Sequence, residues 1–162
     1  MKKAIVIGCP GSGKSTFARK LQKATGIPLY HLDMFYWNAD KTTVEKSAFI
    51  KRLQDILVKD TWIIDGNYGS TMEMRLTVCD TVFFLDYPTD VCLSGIAARR
   101  DKPRSDMPWV ESGAVDKEFI SFVENYNKKS RPVVLTLLER YSNKNIIVFH
   151  TRDEADEFLK RL

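Results

Sequence analysis

Cysteine is scarce and unpaired in this chain. Cys9, Cys79 and Cys92 are an odd number at no repeated spacing. They suit neither a disulfide framework nor a zinc site, which points to a reducing, cytoplasmic setting. No window approaches the run of roughly 20 apolar residues that spans a membrane. The run Ala4–Ile7 after Met1-Lys2-Lys3 stops at Gly8. That is short of the ~7–15 residues of a signal-peptide core, so the segment reads as a buried strand. His31 and His150 stand alone, without a partner at metal-ligand spacing. Internal repeats, low-complexity tracts and linkers are also missing, so residues 1–162 read as one domain.

What is present is a globular composition. Hydrophobic residues make up 44% of 162, enough to exclude a disordered chain and to fill one core. The net charge is +4, and Arg99-Arg100-Asp101-Lys102-Pro103-Arg104 alone carries +3 of it. So local a cluster suits the phosphates of a small ligand. A nucleic-acid face would spread its bases more widely, so direct nucleic-acid binding is not expected, although the composition leaves it open.

Short apolar runs alternate with segments of helical period. Strands are predicted near Lys3–Ile7, Pro28–Leu32, Thr61–Ile64, Val82–Leu85 and Asn145–Phe149. Several are apolar at successive residues, as parallel strands covered on both faces should be. The spacing Thr42-x-x-Glu45 reads as a capping box for a helix over Thr43–Lys59, and Thr151-x-x-Glu154 does the same for the last helix. A long helical stretch, Asp116–Tyr141, carries two apolar stripes, and Pro132 between them should kink or split it. This order predicts a three-layer α/β fold around a parallel five-stranded sheet.

Gly8-Cys9-Pro10-Gly11-Ser12-Gly13-Lys14-Ser15 matches the phosphate-binding P-loop pattern. A strand enters it and a helix, Ser15 to about Ala24, leaves it. Gly8, Gly11 and Gly13 let the backbone turn its N–H groups toward phosphate oxygens, with Pro10, Ser12 and Thr16 completing the cradle. The helix N-terminus adds partial positive charge. In this pattern Lys14 reaches the β- and γ-phosphates and the Ser15 hydroxyl ligates Mg²⁺. The expected ligand is therefore ATP with Mg²⁺. A carboxylate must help hold the metal. Asp65 after Trp62-Ile63-Ile64 is the first candidate and Asp86 after Val82-Phe83-Phe84-Leu85 the second, both at strand ends.

These residues resemble the adenylate kinase-like group of P-loop kinases. The likeness runs through the N-terminal P-loop, Asp33-Met34, the apolar strand ending in Asp65-Gly66, Asp86-x-Pro88 and Arg104-Ser105-Asp106. Within that group, His31-Leu32-Asp33-Met34-Phe35-Tyr36-Trp37 with Asp65-Gly66-Asn67-Tyr68 looks most like the topology modulation protein (FlaR-related) family. The resemblance implies an acceptor-binding segment over about 33–60 and a short lid over about 99–114. It also implies departures. Adenylate kinases carry an arginine two residues after Asp-Met, where this chain has Tyr36. They carry another after Asp-Gly, where it reads Asn67-Tyr68-Gly69. Two arginines for an acceptor phosphate are missing, so a nucleoside monophosphate is not the expected acceptor. Arg75 is the one candidate replacement.

Asp33-Met34-Phe35-Tyr36 also resembles the acceptor-side Asp of uridine-kinase-like enzymes, which gives Asp33 the expected role of binding or deprotonating an acceptor hydroxyl. Tyr36, Trp37 and Tyr68 are candidates for an aromatic acceptor pocket. Arg99 and Arg104, with Arg100, are expected to stabilise charge on the transferred group, and Arg99 to touch the nucleotide. Arg131 and Lys128 are further residues that could reach it. The leading reading is an ATP-dependent phosphotransferase acting on a small molecule of unassigned identity, monomeric by default. The family name keeps open a regulatory nucleotide-binding protein affecting DNA topology, and a weak NTPase is the third reading.

Overall fold

The computed structural model describes residues 1–100, 102–109 and 116–162. Five strands form one sheet: β1 (Lys3–Gly8), β2 (Leu29–His31), β3 (Trp62–Asp65), β4 (Thr81–Leu85) and β5 (Asn145–Phe149). Their order is β2-β3-β1-β4-β5, and every neighbouring pair is parallel. Among the described residues seven helices connect and cover them: α1 (Lys14–Thr25), α2 (Leu32–Tyr36), α3 (Lys46–Leu57), α4 (Gly69–Val78), α5 (Thr89–Arg99), α6 (Lys117–Arg140) and α7 (Arg152–Lys160).

The central strands β1, β3 and β4 are buried nearly throughout because both faces are covered, while the edge strands β2 and β5 are partly exposed. Ala4, Val6, Ile63, Phe83 and Leu85 point into a core with Phe17 and Leu21 of α1 and Cys92 and Ile96 of α5. Their neighbours Ile5, Ile7, Trp62, Ile64, Val82 and Phe84 point the other way, onto Phe49 and Leu53 of α3 and Met72 and Leu76 of α4. That alternation is the strand period of two, and it yields the three layers. Each such aliphatic or phenyl side chain contributes roughly 1.5–3 kcal/mol by leaving water.

Two local expectations are corrected. Pro132 does not split the long helix. α6 runs through it from Lys117 to Arg140. Its first half packs Val123 and Tyr126 into one core, and its second half packs Val134 and Leu138 into the other. The proline, which cannot donate to the carbonyl one turn back, lies where the helix changes faces. Thr42 does not cap α3, which starts behind Glu45. Its hydroxyl instead donates to Asp40 Oδ1 at 2.5 Å and accepts from Asn38 Nδ2 at 3.0 Å, a local turn that competes with the helix start. The Thr151 cap of α7 does form: Thr151 Oγ1 accepts from Glu154 N at 3.1 Å, and Glu154 accepts from His150 N at 2.6 Å.

Because all five strands are parallel, their carboxyl ends share one edge. Gly8, His31 and Asp65 end their strands there, and Asp86 and His150 follow β4 and β5. Binding sites of such sheets form beyond that edge.

Candidate active site

Gly8 and Gly11 of the glycine loop have no room for a side chain. Gly8, Gly11 and Gly13 have φ of 154°, 84° and 94°. A Cβ on Gly11 would lie 2.0 Å from the Cys92 carbonyl oxygen of α5, and one on Gly95 would lie 1.9 Å from Gly11 O. The loop and α5 are thus in backbone contact. Lys14 Nζ donates to Cys9 O at 3.2 Å. Burial lowers the Lys14 pKa, while the charges of Asp65 and Asp33 oppose that shift. Thr16 is exposed at the loop's end, where its hydroxyl accepts from Arg19 at 3.3 Å. Arg152 of α7 reaches back to Gly11 O at 3.3 Å and lies over the Tyr87 ring. Beside it is a cavity of about 460 Å³ lined by Tyr87, Val91, Ser94, His150 and Arg152, among others. A larger depression of about 840 Å³ lies away from the strand ends, between α1 and α7. Its lining is charged, and Lys20 and Asp156 there pair at 2.6 Å.

Ser15 and Asp65 stand together. Ser15 Oγ lies 2.7 Å from Asp65 Oδ2 and 2.9 Å from Asp106 Oδ2. His31 is not alone, as its spacing suggested: its Nδ1 is 2.7 Å from Asp65 Oδ2, because β2 pairs with β3 at His31 and Asp65. Asp106 is buried. Burial pushes its carboxyl up, but the fork of Arg104, at 3.1 and 2.6 Å, more than reverses this and holds it well below the usual range. Arg19 ties the same segment to α1 through Ser105 Oγ at 3.1 Å. Asp86, the second metal candidate, is instead gripped by Arg131 at 2.7 and 2.8 Å, with His150 at 3.8 Å. That ion pair directs Asp86 and Arg131 at each other. Lys128 is exposed on α6.

In the segment expected to bind an acceptor, Tyr68 OH donates to Asp33 Oδ1. Burial raises the Asp33 pKa, the Tyr68 hydrogen bond opposes it, and the Asp65 and Asp106 charges raise it further. Tyr36, Trp37, Phe49 and Tyr68 form an aromatic cluster with centroid separations of 4.9–5.5 Å, and Trp109 meets Trp37 edge-on at 5.2 Å. Arg75 does not replace the missing acceptor arginines. It is fully buried and donates to the carbonyls of Gly66 (2.8 Å), Asn67 and Tyr68 (3.3 Å). Burial lowers its pKa to about 10. The Asn67 side chain makes two bonds to the first loop glycine: Gly8 N donates to Oδ1 at 3.1 Å, and Nδ2 donates to Gly8 O at 2.6 Å.

Arg99 ends α5 with its guanidinium 5.8 Å from the Phe119 ring centroid, and its charge lowers the Lys14 pKa. Arg100 follows it, half-buried. The lid expected over 99–114 falls inside the described residues only at 99–100 and 102–109. His31, Asn67 and Asp106 were not foreseen as site residues. For Asp106 the signal was its place two residues after Arg104. For the other two, the partner comes from strand order.

No family model matches the chain. The adenylate kinases of Thermotoga neapolitana and Thermotoga maritima are each 31% identical over 90 residues, which is 54% of this chain and 40% of each relative. The match thus spans about two fifths of those proteins. A shikimate kinase structure from Bacteroides thetaiotaomicron aligns with 99% of this chain and 95% of its own, with a TM-score of 0.62 and 16% identity. The shikimate kinase from Acinetobacter baumannii in complex with shikimate gives 0.65, 16%, and 99% and 92% coverage. The chain has the α/β P-loop fold of these kinases, with its five-stranded parallel sheet, and its nearer sequence likeness is to adenylate kinases.

Proposed function

We propose that this protein is a small-molecule kinase that transfers the γ-phosphoryl group of ATP to a hydroxyl of an acceptor without a phosphate. The observation that carries this reading is the convergence at one sheet edge. The phosphate loop with Lys14, the Ser15–Asp65 contact of 2.7 Å and the Asp33 carboxylate all meet there. In this reading the backbone of Gly8–Ser15 and Thr16 cradles the triphosphate, and Lys14 balances charge on its β- and γ-oxygens. Ser15 and Asp65 are the oxygen donors that would hold Mg²⁺, and the buried Asp65 Oδ1, which has no hydrogen-bond partner, fits that use. Bound there, Mg²⁺ supplies charge neutralisation on the phosphate oxygens. The cavity beside Arg152 is the proposed seat of the base.

Asp33 takes the acceptor hydroxyl's proton. Its raised pKa favours this, because a stronger base drives the transfer better. Arg99 and Arg104 offset charge that spreads over the transferred group. The acceptor lacks a phosphate because Tyr36 and Asn67-Tyr68-Gly69 stand where arginines would grip one, and Arg75 is committed to backbone carbonyls. Resemblance to topology modulation proteins belongs to the same proposal. So do a cytosolic setting, which three free, buried cysteines support, and a monomeric state.

The test is transfer from labelled ATP with Mg²⁺ to a panel of alcohols, nucleosides and nucleoside monophosphates. Transfer to at least one unphosphorylated alcohol is expected. Acceptor-independent hydrolysis alone would leave a weak NTPase, and salt-sensitive DNA binding without transfer would favour the regulatory reading.

A further inference from the structure

Ser15 has one hydroxyl proton and two carboxylates within hydrogen-bond distance of its oxygen. Asp65 Oδ2 is 2.7 Å away and Asp106 Oδ2 is 2.9 Å away. A hydroxyl donates once. Whichever carboxylate receives that proton, the other faces Ser15 Oγ lone pair to lone pair. His31 Nδ1, at 2.7 Å from Asp65 Oδ2, adds a donor to Asp65 and none to the bare contact.

A second observation points the same way. Asp65 is 4% exposed, and its other oxygen, Oδ1, is buried with no hydrogen-bond partner. Three oxygen-bearing groups therefore meet from three elements: α1 (Ser15), the end of β3 (Asp65) and the segment after α5 (Asp106). Arg104 and His31 face the two carboxylates from outside this contact, and the bare oxygen–oxygen approach that remains at Ser15 is what a small divalent cation relieves. Among the described residues no three His, Cys, Asp or Glu side chains form a metal cluster. A cation held in part by phosphate oxygens and water needs no larger set of protein donors.

We propose that Asp106 is a metal ligand carried by the lid segment, and that with Ser15 and Asp65 it completes the divalent-cation site of the bound nucleotide. The proposal rests on the phosphate-loop reading above and adds a ligand that the P-loop pattern does not contain. Its consequence is that cation binding and lid position are linked, because Asp106 lies two residues from Arg104 and pairs with its Nε and Nη2.

The experiment is a Mn²⁺ titration followed by electron paramagnetic resonance, with a non-hydrolysable ATP analogue at fixed concentration. It compares the wild-type chain with Asp106→Asn and Asp106→Cys, all shown folded by circular dichroism. Asp106→Asn is expected to weaken Mn²⁺ at least about tenfold, the loss seen even for outer-shell partners. Asp106→Cys is expected to weaken Mn²⁺ and, in competition, to favour Cd²⁺, because a thiolate is a soft ligand. Unchanged Mn²⁺ affinity in Asp106→Asn overturns the proposal. So does weakened Mn²⁺ with no gain for Cd²⁺ in Asp106→Cys, which would mean Asp106 acts only through Arg104. A wild-type chain that binds neither the analogue nor its Mn²⁺ complex overturns the phosphate-loop reading itself.

Discussion

Asp33 is a carboxylate held against its preference for water. Burial, with the charges of Asp65 and Asp106, raises its pKa, and the Tyr68 hydroxyl and the Lys14 charge only partly compensate. The sign for stability follows. A carboxyl whose folded pKa lies above its unfolded value binds its proton more tightly in the folded chain. It therefore costs stability as pH rises from the unfolded toward the folded pKa, and that cost persists above it. Asp33→Asn removes the charge and keeps an oxygen for Tyr68. It is expected to raise the melting temperature at neutral pH, with the gain shrinking toward acid. The same substitution removes the proposed base and should cost about 10²–10⁴-fold in turnover. Melting curves across pH, beside acceptor turnover, check both. A variant that is inactive and also less stable at neutral pH would show that Asp33 holds the fold instead. In the wild type, turnover should fall as pH drops through the raised Asp33 pKa.

The element that organises the site is the turn after β3. Four consecutive residues each hold a different part: Asp65 meets Ser15 and His31, Gly66 N donates to Val6 O at 3.2 Å, Asn67 clasps Gly8, and Tyr68 holds Asp33. Tyr68 sits at φ 38°, in left-handed space that a non-glycine residue rarely takes, and buried Arg75 staples the three carbonyls around it. Little of this was legible from spacing. The Asp65-Gly66 pair was readable as a strand end, but its partners on β1 and β2 follow from the order β2-β3-β1, which no local pattern prints. Arg75 was expected to face an acceptor phosphate, but it shares the buried side of α4 with Met72 and Leu76. Two substitutions separate anchoring from positioning. Arg75→Leu strips charge-assisted bonds of ~1.5–3 kcal/mol each from buried carbonyls, so it should destabilise the chain severely in a denaturant titration. Asn67→Ala should lose only about 1–3 kcal/mol for its two bonds to Gly8. It should weaken nucleotide binding in calorimetry while the fold persists. Equal nucleotide affinity in Asn67→Ala and wild type would reduce Asn67 to a structural contact.

At the scale of the whole molecule, the architecture was legible because it is written in long-wavelength patterns. Apolar runs at the five strands, helical stripes between them and a glycine loop between the first strand and helix are each local signals, and right-handed parallel crossovers leave few ways to assemble them. What escaped were pairings such as Asp86 with Arg131, where α6 crosses the end of β4 and two charges expected to meet a ligand meet each other. The same architecture makes a global prediction. The proposed nucleotide site draws on β1, α1, β3 and α5 together, so ligand binding should stabilise the folded state as a unit. At a hundred times its dissociation constant, Mg²⁺-ATP should add about 2.7 kcal/mol. In a chain of this length each kcal/mol moves the melting midpoint by about 2–4 °C. Lys14→Ala should abolish that shift while leaving the ligand-free midpoint near the wild-type value or above it, since Lys14 is a half-buried, desolvated cation whose only hydrogen bond among the described residues is to Cys9 O. A Lys14→Ala chain that keeps the full shift would place the nucleotide somewhere other than the phosphate loop.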